Sequence, residues 1–561
     1  MLVFCVSGII LNHREAFSGC EVSRKWLPAS YHIKNFNNGV VKGTVVKNSG
    51  SLAISEGFSD SILVYGCAGV FLTDYQLSTW QDFNAGLPKS IDERNVRHLV
   101  QARDGSLWCA ALRDVYRYDE NAQQWKKVEL PGNEERIMDV ALGKNSIQVV
   151  ALTRSRIFEI TPIASNIDVS ESPSSLASSA KGGVSEKSPD IFEKKSGGFS
   201  EKVGTFLGKY RVEAKIIPAP KKYEPKTTLF KLVWHLHSGE FFGLPGKLVV
   251  DAIALVLIVL SITGILLFIL PYGIRRAKKL AAKARMKRLG KQFAWNMKWH
   301  NKIGYVTIVL TLWIAITGMC LRPPLMVPLV LSKLPQAVGE DGNVWQDKLR
   351  AIRWDAVQGD WLVSTSEGFL RVDEDFSQAP KMLPDDECPK LSPMGVTVWE
   401  SDGKGGWIVG SFRGIYRWNP VNHKSQILDY FTNEPCVETS MIPISDNLVC
   451  GYSEDFLGGK PLVFDFAKGV EDAKGQAVAL CNDEPKTSRN EESMSDLICE
   501  TAPMSLWNVA LELHVGRCYS PFLGPLSDLF VFLSGLLITL VLLSGYIISH
   551  RRRKKAQARL K

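Results

Sequence analysis

Two histidines precede two long apolar segments with the same spacing. His237 lies fourteen residues before Asp251, and His514 lies fourteen residues before Asp528. Each histidine is followed by a glycine two residues later, then by an apolar run and a burst of Lys and Arg. Imidazoles from facing helices can ligate the iron of a b-type haem axially, without covalent attachment. The repeated module therefore predicts a duplicated membrane protein that holds a redox group between related histidines.

Other histidines also lie near the ends of apolar segments. His13 and His235 accompany the first pair at one mouth, and His300 and His550 lie at the other. On a helix, His235 faces away from His237, so it is not predicted to bind the same iron. Histidines that only cap helices or contact lipid headgroups are the alternative, and His32, His98 and His423 are predicted to be surface residues. The candidate cofactor-binding residues are His13, His237, His514, His300 and His550, with His237, His514 and His300 as haem-iron ligands.

Three segments have the length and composition of membrane spans. Residues 248–273, 303–321 and 526–548 are strongly apolar, and about 20 residues suffice to cross about 30 Å of hydrocarbon as a helix. Residues 1–13 are apolar but too short, and they lack the basic leader and cleavage site of a signal peptide. We interpret them as part of a first helix whose beginning lies upstream. The fold class expected is an integral membrane protein with a four-helix bundle whose first span is partial.

The net charge of +9 hides an uneven distribution. Residues 272–302 contain eleven Lys or Arg and no acid, and residues 549–561 contain seven and no acid. The positive-inside rule places both segments in the cytoplasm and the two large intervening regions outside. Binding of nucleic acid is the other interpretation of basic runs, but their position beside apolar spans argues against it.

The intervening regions contain a repeated strand pair. Leu107–Ala110 with Val115–Asp119, Trp361–Ser364 with Gly368–Asp373, and Trp407–Gly410 with Gly414–Asn419 are the best copies, and weaker copies begin near residues 62, 149 and 448. Alternating strands at a spacing of about 42–46 residues are typical of propeller blades. With about three units in each region, the halves together predict one all-β propeller. A stacked sandwich in each half is the alternative.

The predicted organisation assigns each remaining segment to one side of the membrane. A Ser-, Gly- and Lys-rich stretch lacks apolar periodicity and is predicted to be disordered. The segments are 14–163 (first half of the β domain), 164–202 (disordered insertion), 203–247 (return segment), 274–302 (cytoplasmic loop), 322–510 (second half of the β domain), 511–525 (segment before the last helix) and 549–561 (cytoplasmic tail).

Several chemistries lack their motifs. The chain contains no Cys-x-x-Cys, so iron–sulfur, structural zinc and covalent haem attachment find no support. A catalytic triad, a Gly-rich phosphate loop and nicotinamide or flavin motifs are also missing from the sequence. The nine cysteines outside the apolar spans could form disulfides in an oxidising compartment, but their pairing cannot be derived from the sequence.

The chain resembles the PepSY-associated transmembrane proteins, which include iron-regulated membrane proteins and ferrisiderophore reductases of the bacterial inner membrane. The resemblance rests on Ser7–His13, Leu236–Glu240, Thr263–Ile265 and Trp299–Gly304 and covers about a quarter of the chain. It implies a four-helix bundle with large periplasmic inserts, b-type haem and outward electron transfer. It also implies that His300 matches the histidine that opens the third helix of the family. The propeller-like repeats depart from the PepSY fold expected of the inserts, which puts a siderophore substrate in doubt.

The leading functional hypothesis is a multi-pass inner-membrane protein with one or two b-type haems. It would pass electrons from a cytoplasmic or quinol donor to a periplasmic acceptor such as ferric iron or a ferric chelate, which is the reaction type of a transmembrane ferric reductase. The competing hypothesis is a non-enzymatic, membrane-anchored propeller that binds a periplasmic ligand or partner protein. A transporter ranks third, because the predicted spans contain few charged residues. The lipid bilayer is an expected partner and nucleic acid is not.

Overall fold

A computed structural model describes residues 1–47, 61–77, 79–133, 135–162, 205–207, 210–336, 342–392, 394–421, 427–436, 447–480 and 502–560. The predicted disordered insertion, residues 164–202, and His423 lie outside the described residues.

The helices group near the start, the middle and the end of the chain. Short 3₁₀ turns at Arg24–Trp26, Ala29–Tyr31, Glu240–Phe242, Arg517–Tyr519 and Gly524–Leu526 flank several of them. The α-helices are α1 (Leu2–Asn12), α2 (Arg14–Phe17), α3 (Leu229–Ser238), α4 (Gly243–Lys279), α5 (Lys283–Val306), α6 (Ile308–Cys320), α7 (Met326–Leu331), α8 (Leu506–His514), α9 (Ser520–Leu523) and α10 (Ser527–Leu560).

Two helical segments among the described residues are long and apolar enough to cross a membrane. They are Glu240–Lys279, which contains α4, and Arg517–Lys555, which lies largely in α10. The predicted span 303–321 is interrupted, because α5 and α6 meet at a bend of 70°. If that bent pair counts as one span the total is three, and α1 is a shorter apolar helix. The chain is therefore a membrane protein with a partly broken set of apolar helices.

The predicted cytoplasmic loop 274–302 is largely helical. Helix α4 continues through its basic end to Lys279, and α5 begins at Lys283 and packs back along α4. Lys, Arg, Ala and Met are good helix formers, so a basic composition does not prevent helix formation here. At the bend, the Thr307 hydroxyl donates to the carbonyl of Ile303 at 2.9 Å, an interaction that competes with the helical hydrogen-bond ladder.

The strands divide into two groups, one before α3 and one after α7. The first group is β1 (Glu21–Val22), β2 (Gly43–Lys47), β3 (Ser61–Gly66), β4 (Gly69–Asp74), β5 (Trp80–Asp82), β6 (His98–Gln101), β7 (Leu107–Ala110), β8 (Val115–Asp119), β9 (Gln124–Val128), β10 (Ile137–Leu142), β11 (Val149–Thr153), β12 (Ile157–Pro162), β13 (Thr205–Leu207), β14 (Tyr210–Lys215) and β15 (Lys226–Thr228). The second group is β16 (Lys333–Pro335), β17 (Leu349–Asp355), β18 (Asp360–Thr365), β19 (Gly368–Val372), β20 (Lys381–Met382), β21 (Val398–Ser401), β22 (Trp407–Ser411), β23 (Gly414–Trp418), β24 (Leu428–Asp429), β25 (Val449–Ser453), β26 (Leu462–Asp465), β27 (Gly469–Asp472) and β28 (Met504–Ser505).

Within the described residues, six small antiparallel sheets form the β domain, three from each group. Sheet I is β2–β5, sheet II is β6–β9, and sheet III has the order β10-β11-β12-β14-β13. Sheet IV is β17–β20, sheet V is β21–β24 and sheet VI is β25–β27. The predicted strand pairs form the central hairpins of these sheets, for example β7 with β8 and β22 with β23.

Six hydrophobic clusters join the sheets in a closed cycle. Successive residues of a strand point to opposite faces, so Leu63 of β3 packs toward sheet II while Ile62 packs toward sheet VI. Further clusters join sheets II and III, III and IV, IV and V, and V and VI. Burying each Val, Leu or Ile in such a cluster contributes roughly 1.5–3 kcal/mol. The last sheet is thus packed on the first, and both groups of strands are needed to complete the cycle.

Two short ladders connect the β domain to the helices. Strand β1, which follows α2, pairs with β28, which precedes α8. Strand β15, which precedes α3, pairs with β16, which follows α7. Each ladder joins a strand of the first half of the chain to a strand of the second half.

Candidate functional site

Helices α3 and α8 are built alike, and each carries its predicted histidine near its C-terminus. In both, a hydroxyl at the N-cap, that of Thr228 or Ser505, accepts a hydrogen bond from the backbone N–H three residues later. Such caps stabilise a helix by about 1 kcal/mol. After each helix a glycine, Gly239 or Gly516, has a left-handed φ of 79° or 85°, which ends the helix. The two histidines therefore occupy equivalent positions.

Each of these helices packs against the opposite half of the chain. Helix α3 lies against α6, and α8 lies against α1. Across these contacts, Nδ1 of His237 is 3.0 Å from Oγ1 of Thr317, and Nδ1 of His514 is 2.9 Å from Oγ of Ser7. Each half thus contributes an imidazole and receives its hydroxyl partner from the other half.

A glycine follows each of these hydroxyl residues and leaves room for the imidazole. A Cβ on Gly318 would lie 2.8 Å from Cε1 of His237, and one on Gly8 would lie 3.4 Å from Cε1 of His514. The first distance is shorter than a normal carbon–carbon contact. A side chain at Gly318 would therefore displace the ring of His237.

The hydroxyl groups determine which ring nitrogen carries the proton. Thr317 Oγ1 donates its own hydrogen to the carbonyl of Trp313 at 2.8 Å, and Ser7 Oγ donates to that of Val3 at 2.7 Å. Because each hydroxyl has one hydrogen, it must accept from the histidine. Nδ1 is then protonated in both imidazoles, and Nε2 keeps its lone pair. A fixed Nδ1–H donor is the usual partner arrangement of a metal-ligating histidine.

His300 repeats this arrangement at another level of the helices. Its Nδ1 lies 2.7 Å from Oγ1 of Thr263, which donates to the carbonyl of Val259 at 2.7 Å. Gly264 follows Thr263, and a Cβ there would lie 3.6 Å from Cε1 of His300. A Ser/Thr-Gly pair on a neighbouring helix therefore orients all three histidines that the sequence predicts as iron ligands.

His237 and His514 form a half-buried pair of neutral imidazoles. Their ring centroids are 6.2 Å apart, with an interplanar angle of 51°. Burial, followed by repulsion from His514, lowers the pKa of His237, and burial lowers the pKa of His514. Within the described residues, no cluster of three or more His, Cys, Asp or Glu side chains is arranged to hold a bare metal ion.

The predicted site residues His13 and His550, and their neighbour His235, have other partners. Nε2 of His13 lies 2.7 Å from Oδ2 of Asp251, and the ring of His235 contacts that of Trp234 edge-on. His550 stacks on Tyr305 and Tyr546 with centroid distances of 6.4 and 5.8 Å. In the described part of the chain, His550 makes no ring contact with His300. The structure thus brings His237 and His514 together but does not pair His300 with His550.

Several residues that the sequence did not indicate as functional take part in the site or in the β domain. Ser7, Thr263 and Thr317 were recognisable only as members of repeated Ser/Thr-Gly pairs, not as partners of histidine. His98, predicted to be a surface residue, is largely buried and lies 3.2 Å from Oδ1 of Asp139. Asp139 is 41 residues farther along the chain, so no local spacing indicated that contact.

Comparison with known proteins identifies one family. The model of the PepSY-associated TM region matches residues 62–270 and 268–553. A search of curated proteins gives no match. Among solved structures, the extracellular domain of the one-component system BT4673 from B. thetaiotaomicron is 9% identical, with a TM-score of 0.29. That match covers 78% of this chain and 39% of the other.

Proposed function

This chain belongs to the PepSY-associated TM region family, and we propose that it binds b-type haem and carries electrons across the membrane. The donor would be a cytoplasmic or quinol reductant. The acceptor would be ferric iron or a ferric chelate on the side of the β domain, which we propose is the periplasm of a bacterial inner-membrane protein. Binding of a ligand or protein by a membrane-anchored β domain is the second candidate function.

The observation that carries the proposal is the repeated hydroxyl–imidazole contact. Three neutral imidazoles, at positions 237, 300 and 514, have Nδ1 fixed by Thr317, Thr263 and Ser7. Surface histidines or simple helix caps would not require the same tautomer three times. The arrangement instead presents Nε2 as the free ligand atom, as a metal centre requires.

The two imidazoles of this pair, His237 and His514, lie close to each other. Their ring centroids are 6.2 Å apart, so both side chains could contact one bound group. Haem supplies four ligands of its own and an iron that cycles between two oxidation states. We propose that His237 and His514 would hold a haem on the outer side.

A second haem would lie toward the basic segments, with His300 as one ligand. His550 stays a prediction as its other ligand. His13 stays a prediction as a neighbour of the outer haem, although Asp251 already engages its Nε2. The basic segment 274–302 and the tail 549–561 would face the cytoplasm by the positive-inside rule. We further propose that α1, α4, the bent pair α5 and α6, and α10 form a four-helix bundle.

We propose that sheets I–VI are the blades of a six-bladed propeller. The closed cycle of hydrophobic clusters supports this interpretation, since two stacked sheets in each half would not place sheet VI against sheet I. Contacts between the first strands of the sheets also support a propeller. Strand β2 lies beside β6 and β25, and β10 lies beside β6 and β17. A central channel between such strands is typical of propellers.

An absorbance spectrum tests the haem proposal directly. The full chain, purified in detergent from cells supplied with a haem precursor, is expected to have a Soret band. Dithionite should shift this band and sharpen the visible bands as a low-spin, six-coordinate b-type haem does. A protein without a Soret band after haem reconstitution would refute haem binding and leave the ligand-binding β domain as the better account.

The hydroxyl groups of Thr317 and Ser7 should affect haem binding by orienting the two histidines, without contacting the haem themselves. Replacing Thr317 with Val and Ser7 with Ala removes the acceptors that fix the two Nδ1–H groups. Loss of such partners typically weakens metal binding about 10–100-fold. We expect faster haem transfer to apomyoglobin and a changed midpoint potential.

The chain offers a matched control and a rescue variant. Thr311 is buried on the same helix as Thr317, but its hydroxyl donates to the carbonyls of Thr307 and Ile308 and contacts no histidine among the described residues. Thr311→Val should therefore leave haem retention unchanged, and Thr317→Ser should restore it. Equal effects of the changes at positions 311 and 317 would count against the assigned tautomer.

A further inference from the structure

The histidine-bearing helices α3 and α8 are short, so contacts at their ends decide where they lie. They contain ten and nine residues, and isolated helices shorter than about 12–15 residues are marginally stable. His237 and His514 are each the ninth residue of their helix. The position of each imidazole therefore depends on what fixes the first turn of the helix that carries it.

In both helices the third residue contacts a carboxylate of the β domain. Nζ of Lys231 lies 2.8 Å from Oδ2 of Asp347, and Nδ2 of Asn508 donates to Oδ1 of Asp92 at 2.6 Å. Asp347 lies just before β17, the first strand of sheet IV, and Asp92 lies between sheets I and II. The first turns of α3 and α8 are therefore joined to the β domain at equivalent positions.

The third and ninth residues of these helices face different directions. With about 3.6 residues per turn, residues six apart are rotated by about 240° and separated by about 9 Å along the helix axis. The third residue can therefore contact the β domain while the ninth meets a hydroxyl group of the opposite half of the chain. A contact that fixes the first turn also sets the depth and the rotation of the imidazole.

Each of the two carboxylates is itself held by an arginine. Asp92 is 5% exposed, and its Oδ2 lies 3.2 Å from Nη2 of Arg14. Oδ1 of Asp347 accepts a hydrogen bond from Nη1 of Arg154 at 2.7 Å. The hydroxyl of Ser505, the N-cap of α8, also bonds to Asp92. A carboxylate beside the N-terminus of a helix is favoured further by the partial positive charge of that end.

Both carboxylates belong to one packed body. The hydrophobic clusters that join sheet I to sheet VI and sheet III to sheet IV contain strands of both halves of the chain. The separation between Asp92 and Asp347 is therefore set by the packing of the β domain. Two helices whose first turns are fixed to that body keep a constant separation from each other.

We propose that Asp92 and Asp347 are positioning residues for His514 and His237. Each carboxylate fixes one histidine-bearing helix to the β domain, and the β domain thereby keeps the two imidazoles close enough to contact one bound group. This inference rests on the proposed haem function, because it gives the two carboxylates a role in retaining that haem. They act through the helices.

Variants on the helix side test this inference, because they leave the ion pair of each carboxylate with its arginine in place. Lys231→Met and Asn508→Leu each remove one contact between a helix and the β domain. In hydrogen–deuterium exchange of the haem-free full chain in detergent, each variant should speed exchange within its own helix about fivefold or more. Exchange in the strands of the β domain should not change.

Haem retention separates a positioning role from a purely structural one. In the haem-loaded chain, the double variant Lys231→Met/Asn508→Leu should release haem to apomyoglobin roughly three- to tenfold faster. This effect is smaller than the loss of a direct hydrogen-bond partner of a metal-binding histidine, which costs about 10–100-fold. The midpoint potential should change as well. Because Asn508→Leu removes no charge, a changed potential in that variant cannot be a direct effect of charge.

The chain offers a rescue variant and a matched control for this test. Lys231→Arg keeps a cation beside Asp347 and should restore slow exchange and haem retention. Lys247→Met removes an ion pair with Glu240, whose atoms are 3.2 Å apart. That pair lies near α3 but does not involve the β domain, so its loss should leave both measurements unchanged.

Two results would overturn the inference. The helices could exchange at the unchanged rate in both variants, or they could exchange faster while haem release and midpoint potential stay the same. Equal behaviour of Lys231→Arg and Lys231→Met would also count against it. A reconstituted chain without a Soret band would instead overturn the haem proposal, and faster exchange in the variants would then still support the β domain as the body that positions the two histidines.

Discussion

The double variant His237→Ala/His514→Ala is expected to lose at least half of the bound haem. If the outer site holds the only haem, the Soret band should disappear. If His300 holds a second haem, about half of the absorbance should remain, and the additional change His300→Ala should remove most of it. The reason is that no other two described histidines form a ring contact like that between His237 and His514. The measurement is the ratio of haem to protein by pyridine haemochrome assay.

His235 provides the control for this experiment. It lies two residues from His237 on the same helix, yet its ring contacts Trp234 rather than His514. His235→Ala should therefore retain the full haem content. The melting temperature of the β domain should stay the same in all these variants, which separates loss of a ligand from loss of the fold. Full haem retention in the double variant would remove the outer site from the proposal.

Asp139→Ala should destabilise the β domain more than any exposed acidic substitution. It leaves Arg353, only 14% exposed at its side chain, without its carboxylate. Removing one partner of a buried ion pair typically costs about 3–5 kcal/mol. Glu374→Ala is the matched control, since its salt bridge with Lys144 is solvent-exposed and pairs of that kind contribute about 0–1 kcal/mol. Chemical unfolding should give a clearly lower free energy of unfolding for Asp139→Ala than for Glu374→Ala.

The effect of Asp139 should also depend on pH. Burial alone would raise its pKa, but Arg353 and His98 lower it below the ordinary 3.8. A carboxyl group with a lowered folded-state pKa stabilises the protein fully above that ordinary value. The stabilisation is lost as the pH falls through the folded-state pKa. The difference between the unchanged chain and Asp139→Ala should thus be constant near neutral pH and shrink below about pH 4. A difference that grew on acidification would contradict this role.

The sequence could predict the family and the central strands of the β domain. The family resemblance, based on about a quarter of the chain, is confirmed by a match that spans most of it. Strands such as β7 and β22 combine apolar alternation with a turn and an aromatic second strand, which makes them recognisable. Outer strands such as β20 and β24 are two residues long and partly or fully exposed. They carry no apolar period, so their place in the sheets depends on the neighbouring strand.

The sequence also located His237, His514 and His300 but not what orients them. Spacing along the chain relates each histidine to the helix that follows it. It cannot state which other helix lies across from it, because that depends on how the two halves pack. The hydroxyl of Thr317 is 80 residues from His237, and that of Ser7 is 507 residues from His514. The bend between α5 and α6 could not be predicted either, because the apolar run across Thr307 contains no proline.

The reciprocal contacts of α3 with α6 and of α8 with α1 have a consequence for the origin of the chain. If a single half existed as a separate polypeptide, its histidine would find the required hydroxyl only on a second copy. Two such copies would satisfy each other through the same pair of contacts, as a twofold-symmetric dimer does. Joining the two genes end to end would preserve both contacts and then allow each half to diverge. The present chain thus has the arrangement of a twofold-symmetric dimer whose two subunits are joined in one polypeptide.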